Sequence, residues 1–174
     1  PGRYLSVIAR AEPENSLLEI VEGFSRKPRG MKLAVLGKYE DSNAYHQAVK
    51  AAAGNEVMFL GAIYDKKVVQ ALRFHSAAYV HGHQVGGTNP SLVEALGAGN
   101  AVIAHDNRFN RWVAGPGAAF FDGAAGFATQ LDAILADPTR LDSMRKASRE
   151  RFLAEFQWEK ILSEYETLLL KYQK

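Results

Sequence analysis

The fold of this chain is decided by one stretch, His81-Gly82-His83-Gln84-Val85-Gly86-Gly87-Thr88-Asn89-Pro90-Ser91-Leu92-Val93-Glu94. It follows a short apolar run, residues 77–80, which predicts a buried strand. Its last residues open a segment, 91–99, that ends in glycine and predicts a short helix. Thr88 or Asn89 is the candidate N-cap, and Pro90 suits the first helical position. The pattern is therefore strand, glycine-rich turn and helix.

Such a turn at a helix N-terminus forms a binding place for an anion, because backbone N–H groups point outward and the helix dipole favours negative charge. Gly86, Gly87, Thr88 and Asn89 would supply these amides, and we call residues 86–89 the glycine loop. Glu94 falls about one turn inside the helix. A carboxylate there is poorly placed to meet a phosphate but well placed to accept hydrogen bonds from sugar hydroxyls. The combination is typical of a nucleotide-sugar site.

Around this stretch, strand and helix patterns alternate. The predicted strands are residues 4–9, 32–37, 57–61, 77–80, 101–104 and 118–121. The predicted helices are residues 17–24, 43–53, 65–74, 91–99, 127–135, 140–156 and 159–172. Because the strands lack polar alternation, both of their faces should be buried and the sheet should be parallel. The sequence thus predicts an α/β fold, a doubly wound parallel sheet of about six strands, with ligands outside the carboxyl ends of the strands.

Composition limits the classes of function. A length of 174 residues predicts one domain, residues 1–174. A net charge of +2 without a block of like charges gives no reason to expect a nucleic-acid partner. The absence of cysteine excludes disulfides and thiolate metal sites, and no apolar run reaches the roughly 18–20 residues of a transmembrane segment. Because the chain begins at Pro1, we expect an excised domain or a processed product.

In its order of motifs, the chain resembles the C-terminal half of a family 4 glycosyltransferase with the GT-B architecture, a Rossmann-like half of that fold. Residues 8–15 resemble the family's opening strand and its Gly-Arg-x-x-x-Glu-Lys turn, and residues 59–61 resemble the end of its third strand. Residues 86–94 resemble its phosphate loop and donor-binding glutamate, and residues 156–159 resemble its closing Phe-x-Trp helix. The resemblance covers nearly the whole chain.

The resemblance implies a retaining transferase in which Arg10 and Glu94 do the catalytic work. Arg10 would meet the departing diphosphate together with the glycine loop, and Glu94 would accept from ribose hydroxyls. His83 would lie near the donor phosphate or sugar. Residues 61–64, with Gly61 and Tyr64 at their ends, would form a slot for the base. Since the sequence holds no Asp-x-Asp pair for Mg²⁺ or Mn²⁺, we expect no metal cofactor.

The implied partners are a nucleoside-diphosphate sugar and the N-terminal GT-B domain of the same parent chain, without which this half should be inactive. Residues 86–92 and 106–111 further resemble bacterial rhamnosyltransferases of polysaccharide assembly, which implies thymidine-diphosphate rhamnose as donor and a role in polysaccharide or lipopolysaccharide synthesis. The expected location is the cytoplasm, with any attachment to the inner membrane made through the missing half. Trp158 is expected to anchor the last helix by packing, and residues 168–170 to cover an interface.

Two departures from the family pattern keep a second reading open. Gly86 stands where the family usually has the first of two glutamates, and Asn15 stands where it has lysine. The alternative is a non-catalytic ligand-binding or interaction module with the same fold. A nicotinamide or flavin domain is disfavoured because no G-x-G-x-x-G follows the first strand. His81 and His83 share one side of an extended segment, but no third metal ligand is evident.

Overall fold

The computed structural model describes residues 4–172, and its centre is a six-stranded parallel sheet flanked by helices. The strands are β1 (Tyr4–Ile8), β2 (Lys32–Leu36), β3 (Val57–Gly61), β4 (Ala78–His81), β5 (Ala101–His105) and β6 (Ala119–Phe121). The helices are α1 (Leu17–Ser25), α2 (Ala44–Ala51), α3 (Lys66–His75), α4 (Pro90–Gly97), α5 (Arg108–Ala114), α6 (Gly123–Leu135), α7 (Pro138–Glu155) and α8 (Trp158–Leu170). A single 3₁₀ turn, Pro13–Asn15, precedes α1.

The strand order is β3-β2-β1-β4-β5-β6, with every neighbouring pair parallel. The chain winds outward from β1 to β3, returns to the other side of β1, and winds outward again to β6. The order therefore reverses between β1 and β4, and a crevice outside their carboxyl ends is the usual ligand site of such sheets. The prediction of a doubly wound parallel sheet is confirmed.

Each face of the sheet is covered by its own layer of helices. On one face, Leu5 and Val7 of β1 are buried in a cluster with Phe24 of α1 and Phe127 of α6. The other face buries Tyr79 of β4 in a second cluster with apolar residues of α4 and α5. This double coverage explains why the strands have continuous apolar sequences rather than alternating ones.

Element boundaries agree with the predictions to within one or two residues for the strands, but two helices differ. Helix α6 begins at Gly123, four residues before the predicted start. Helix α5 was not predicted, since its seven residues are too few for a clear apolar periodicity. Its one sequence signal is Asn107, whose side chain caps the helix by accepting from the amides of Phe109 and Asn110.

The last helix contradicts one expectation. Helix α8 contains no buried residue, and Trp158 is 72% exposed, so the prediction that Trp158 anchors this helix by packing is wrong within residues 4–172. Leu168, Leu169 and Leu170 are exposed as well, which leaves an uncovered apolar surface on the helix. No helix in this part of the chain is both long enough and apolar enough to cross a membrane.

Candidate functional site

The loops that follow β1 and β4 lie side by side at the reversal of strand order and are joined by hydrogen bonds. The hydroxyl of Ser16 donates to the carbonyl of Gly82 over 2.9 Å, and the amide of Gln84 donates to the carbonyl of Glu14 over 2.8 Å. The side chain of Gln84 donates to the Ser16 hydroxyl over 2.9 Å. The two loops therefore form one unit.

Gly82 is required at this junction for steric reasons. A Cβ atom on Gly82 would lie 2.0 Å from the carbonyl oxygen of Asn15 and 2.8 Å from Cδ1 of Ile20. Distances below 3.0 Å are not tolerated by real Cβ atoms, so any larger residue would push the loops apart. The glycine allows the backbone after β4 to touch the backbone before α1.

Asn15 is the central polar residue of the junction, a role that the sequence did not suggest. It is buried, and its Nδ2 donates to the carbonyl of Arg10 over 3.0 Å. Its Oδ1 must then be the acceptor of the 2.8 Å contact with Nδ1 of His83, so Nδ1 carries the proton. In the neutral ring this leaves Nε2 of His83 as a hydrogen-bond acceptor. At the position of the family's lysine, the chain thus has a residue that links Arg10 to His83.

The glycine loop has the strand–turn–helix geometry that the sequence predicts. Gly86 has a φ of +84°, in the left-handed region that favours glycine. Asn89, not Thr88, is the N-cap of α4, and its Oδ1 accepts from the amide of Ser91 over 3.0 Å. Pro90 is the first helical residue. The binding role of this loop stays a prediction.

The surroundings of the glycine loop are open. Among the described residues, a Cβ atom on Gly86 or Gly87 would have no neighbour within 4 Å. Across residues 4–172, the amides of Gly86, Gly87, Thr88 and Asn89 donate to no other protein group. Four adjacent donors at a helix N-terminus are therefore free to meet a ligand.

A cavity of about 190 Å³ lies between the two loops. Its polar wall includes Arg10, Asn15, Tyr79, His81, His83 and Asn89. Ligand pockets usually have about 300–1,000 Å³. The cavity therefore has room for part of a nucleotide sugar, such as a phosphate or a sugar ring, rather than for the whole molecule.

Arg10 extends from the loop after β1 toward solvent. Its side chain is 79% exposed, and its only ion pair among the described residues is a 3.5 Å contact with Glu14. An exposed pair of this length contributes little to stability. The guanidinium is therefore not held firmly by Glu14, and Arg10 lines the same cavity as Asn89 of the glycine loop.

Glu94 is not a freely solvated helix residue. Its Oε2 lies 2.9 Å from Nη2 of Arg73, a residue of α3 whose side chain is only 4% exposed. The Glu94 side chain itself is 59% exposed, so its other oxygen can reach a ligand. No sequence signal marked Arg73, which follows Leu72 in a helix of ordinary amphipathic pattern.

His81 and His83 are neighbours in the structure, with ring centroids 6.1 Å apart. Burial, followed by the effects of His83 and His105, lowers the pKa of His81 to about 3, so its ring is neutral at physiological pH. Its Nε2 is buried and has no hydrogen-bond partner among the described residues. Within residues 4–172, no three side chains of His, Cys, Asp or Glu come together as metal ligands.

Residues 106–111, at the start of α5, hold the backbone of His83 in place through hydrogen bonds. Asn107 and Asn110 both donate to the carbonyl of His83, over 3.0 and 2.8 Å, and Asn110 also donates to the carbonyl of His105. The Arg111 guanidinium hydrogen-bonds Asp106 and holds the pKa of that carboxyl below its usual range. The two asparagines fix the backbone at His83 and were not predicted as site residues.

The predicted base slot lies apart from the glycine loop. Gly61 ends β3 with a φ of +71°, and Tyr64 is 87% exposed. Because β3 lies three strands from β4, the separation is about 14 Å at the usual strand spacing. The structure therefore does not bring Gly61 and Tyr64 together with the other predicted residues, and only an extended ligand could contact both regions.

With this geometry established, comparison with known proteins identifies the family. The family model described as glycosyl transferases group 1 matches residues 2–151. A comparison with curated proteins finds no match.

Solved structures show the same fold. Sucrose-phosphate synthase from Thermosynechococcus elongatus is 20% identical, with a TM-score of 0.83 over 97% of this chain and 45% of that chain. HepE of Anabaena in complex with UDP is 14% identical, with a TM-score of 0.84 over 98% of this chain and 49% of that one.

The C-terminal domain of the glycosyl transferase group 1 protein LpcC from Francisella tularensis is 17% identical, with a TM-score of 0.75. The match covers 91% of this chain and 88% of that domain. The chain thus spans less than half the length of the first two proteins and most of the third. The chain belongs to the glycosyl transferases group 1 family, and its fold is that of a C-terminal GT-B domain.

Proposed function

We propose that this chain is the donor-binding half of a retaining, metal-independent glycosyltransferase, and that the glycine loop holds the diphosphate of a nucleotide sugar. One observation carries the proposal: four amides that have no hydrogen-bond partner among residues 4–172 lie at the N-terminus of α4, beside the loop that bears Arg10. Donors of this kind suit phosphate oxygens, and an exposed guanidinium can add a planar pair of charged donors.

In transfer from a nucleotide sugar, the main electrostatic requirement is to stabilise the negative charge that develops on the departing diphosphate. Preorganised donors aimed at the developing charge are the strongest single means of meeting that demand. The glycine loop leads directly into α4, whose first turn is capped by Asn89 and begins at Pro90, so the loop's amides already lie at a formed helix N-terminus. Together with Arg10, they offset the charge without a metal ion.

Glu94 is proposed to accept hydrogen bonds from the ribose hydroxyls. One of its oxygens is occupied by Arg73, and the half-exposed carboxylate leaves the other available. Residues 61–64 are proposed to contact the base. An extended nucleotide would have to span the roughly 14 Å between these residues and the glycine loop.

Recognition of the transferred sugar must work without a carboxylate at position 86, where this chain has glycine. The acceptor at Nε2 of His83, which lines the cavity, is the proposed substitute. The narrower assignment, thymidine-diphosphate rhamnose as donor in bacterial polysaccharide synthesis, rests on the resemblance of residues 86–92 and 106–111 to rhamnosyltransferases.

Transfer itself is proposed to need an N-terminal GT-B domain that binds the acceptor. The cavity is smaller than a nucleotide sugar, and α8 leaves its apolar residues uncovered. A second half packed on this edge of the sheet would enlarge the walls of the site. We therefore expect this chain alone to bind a nucleoside diphosphate without transferring sugar.

Calorimetric titration of the chain with uridine, thymidine, guanosine and adenosine diphosphates, with and without EDTA, tests the proposal. Saturable binding of one of them, unchanged by EDTA and weakened about tenfold or more by Arg10→Ala and Glu94→Ala, is expected. Arg26→Ala and Glu22→Ala, exposed positions on α1 and its C-terminal cap, serve as matched controls that keep full affinity. Binding that requires a divalent metal would contradict the proposed mechanism.

A non-catalytic module with the same fold remains the competing function. It is favoured by Gly86 and by the buried, purely connecting role of Asn15 at the position where the family has lysine. Such a module would bind none of the four diphosphates, either as this chain or within a longer parent protein.

A further inference from the structure

Arg73 is a buried charged residue that the proposed function does not yet use. Its side chain is 4% exposed and is the only buried one in α3. Its guanidinium carbon lies 5.7 Å from the centre of the Tyr79 ring, within the range of a cation–π contact. Its Nε is buried without a partner among the described residues.

The hydrogen bonds of Arg73 form a chain with a single possible direction. Nη2 donates to the hydroxyl of Ser91 over 3.2 Å, and that hydroxyl lies 2.6 Å from the hydroxyl of Tyr79. Tyr79 in turn donates to the carbonyl of Ile8 over 3.3 Å. Because arginine only donates and the carbonyl only accepts, Ser91 must donate to Tyr79. We call Arg73, Ser91 and Tyr79 the arginine relay.

The arginine relay connects the two ends of the proposed donor site. At one end, the same Nη2 holds Oε2 of Glu94 over 2.9 Å. At the other end, the carbonyl of Ile8 is the last of β1, two residues before Arg10. A carboxylate that is largely in solvent is thereby tied to the fixed interior of the sheet.

This arrangement is not the one that stability alone would favour. A buried guanidinium loses hydration, and apolar side chains of similar volume usually serve a core as well or better. The unpartnered Nε adds to that cost. The gain appears at Glu94, since an exposed glutamate would otherwise sample several rotamers and would lose that freedom on binding a ligand.

We propose that Arg73 is a positioning residue that fixes the carboxylate of Glu94 for the ribose hydroxyls of the donor. The proposal rests on the proposed function of Glu94. If Arg73 has this role, the ligand must carry a free ribose hydroxyl. Recognition of that hydroxyl then depends on a side chain of α3 that does not itself contact the ligand.

The test uses whichever of uridine, thymidine, guanosine and adenosine diphosphates the chain binds, and compares its affinity with that of the same nucleotide without ribose hydroxyls. For uridine diphosphate this analogue is 2′,3′-dideoxyuridine diphosphate. The ratio of the two affinities reports the hydroxyl contacts alone, because any loss of folded protein lowers both affinities equally. In the unmodified chain the ratio should be about tenfold to a hundredfold, the value of hydrogen bonds to a charged group. Arg73→Met and Glu94→Gln should each bring the ratio close to one, and the double variant should lower it no further.

Arg29→Met is the matched control. Arg29 is another buried arginine paired with a partly exposed carboxylate, Asp132, but it precedes β2 and so lies at the opposite edge of the sheet. This variant should lose stability and keep the ratio. If Arg73→Met does not fold, Ser91→Ala replaces it: removal of the hydroxyl that holds Nη2 should lower the ratio severalfold.

The outcomes separate the two proposals. A ratio that collapses in Glu94→Gln but persists in Arg73→Met, or in Ser91→Ala where that variant replaces it, overturns the positioning role and leaves the proposed function intact. A ratio that persists in Glu94→Gln, or failure of all four nucleoside diphosphates to bind, overturns the role of Glu94 and the positioning role with it.

Discussion

Oδ1 of Asn15 lies 2.8 Å from Nδ1 of His83, and this contact joins the loop after β1 to the loop after β4. The same asparagine holds the carbonyl of Arg10 through Nδ2. The proposed phosphate-binding arginine and the proposed sugar-binding histidine are therefore positioned by one buried side chain. The site depends on this junction as much as on the groups that would touch the ligand.

Replacement of Asn15 by alanine should weaken the site without unfolding the sheet. The variant removes the partner of Nδ1 of His83 and leaves the carbonyl of Arg10 with only the amide of Glu12, which should lower the free energy of unfolding by about 1–3 kcal/mol. Affinity for the nucleoside diphosphate should fall as well, because the hydrogen bond from Asn15 to the carbonyl of Arg10 is lost. Urea denaturation and calorimetry measure the two effects, and Asn55→Ala, at an exposed position, is the control. Unchanged affinity would show that the junction is not needed for binding.

Gly82 and Gly87 should respond differently to alanine. At Gly82 the added Cβ would lie 2.0 Å from a carbonyl oxygen, so Gly82→Ala should lower the free energy of unfolding by roughly 2 kcal/mol or more. At Gly87 the Cβ would meet no atom of residues 4–172 within 4 Å, so Gly87→Ala should change the free energy of unfolding by no more than about 0.5 kcal/mol. It should still reduce binding of the diphosphate, because the methyl group obstructs close approach to the amides. Equal stability losses at the two positions would contradict the geometry.

Gly86→Ala isolates the cost of backbone conformation. Space is available for the methyl group, but a φ of +84° is strained for an L-residue and should cost about 1–2 kcal/mol. Gly86→Asn should cost less, since asparagine tolerates this region better than alanine. Thermal denaturation of both variants measures the difference. Alanine as stable as glycine would mean that the loop changes its conformation readily.

His81 should make the protein acid-sensitive. Burial lowers the pKa of His81 from 6.5 to about 3, so between these values the unfolded chain binds a proton that the folded chain does not. The free energy of unfolding therefore decreases as the pH falls through this window, by about 1.4 kcal/mol per pH unit for this group. His81→Phe keeps the ring and removes the titration. Denaturation of both proteins at pH 7, 6, 5 and 4 should show the variant losing less stability, and parallel pH profiles would argue against a buried neutral histidine.

The architecture could be predicted from the sequence because the strands and most of the helices have a recognisable local pattern of residues. Apolar runs such as 101–104 indicate strands buried on both faces, and Pro90 after a candidate N-cap at Thr88 or Asn89 indicates the start of α4, where the structure has Asn89 as the cap. Helix α5 was missed for the same reason, since its seven residues carry only a capping asparagine. Trp158 was misjudged because a large aromatic residue does not by itself indicate which surface covers it.

The candidate site was predictable only where backbone chemistry defines it. The glycine loop follows from residue types that are adjacent in sequence. Asn15, Arg73 and Asn110 act through partners that lie far away along the chain, from 18 to 68 residues in the contacts with Ser91 and His83. No periodicity or motif reports such pairs, so the side chains that position the site appeared only in the folded structure.

The central claim is that the amides of residues 86–89 bind the diphosphate of a nucleotide. Nuclear magnetic resonance of the ¹⁵N-labelled chain, titrated with uridine and thymidine diphosphates, tests it most directly, because each amide reports its own environment. Saturable shifts of the amides of Gly86, Gly87, Thr88 and Asn89 are expected, all four giving one dissociation constant for a given nucleotide and none depending on a metal ion. Saturable binding that shifts other amides and leaves these four unchanged would contradict it.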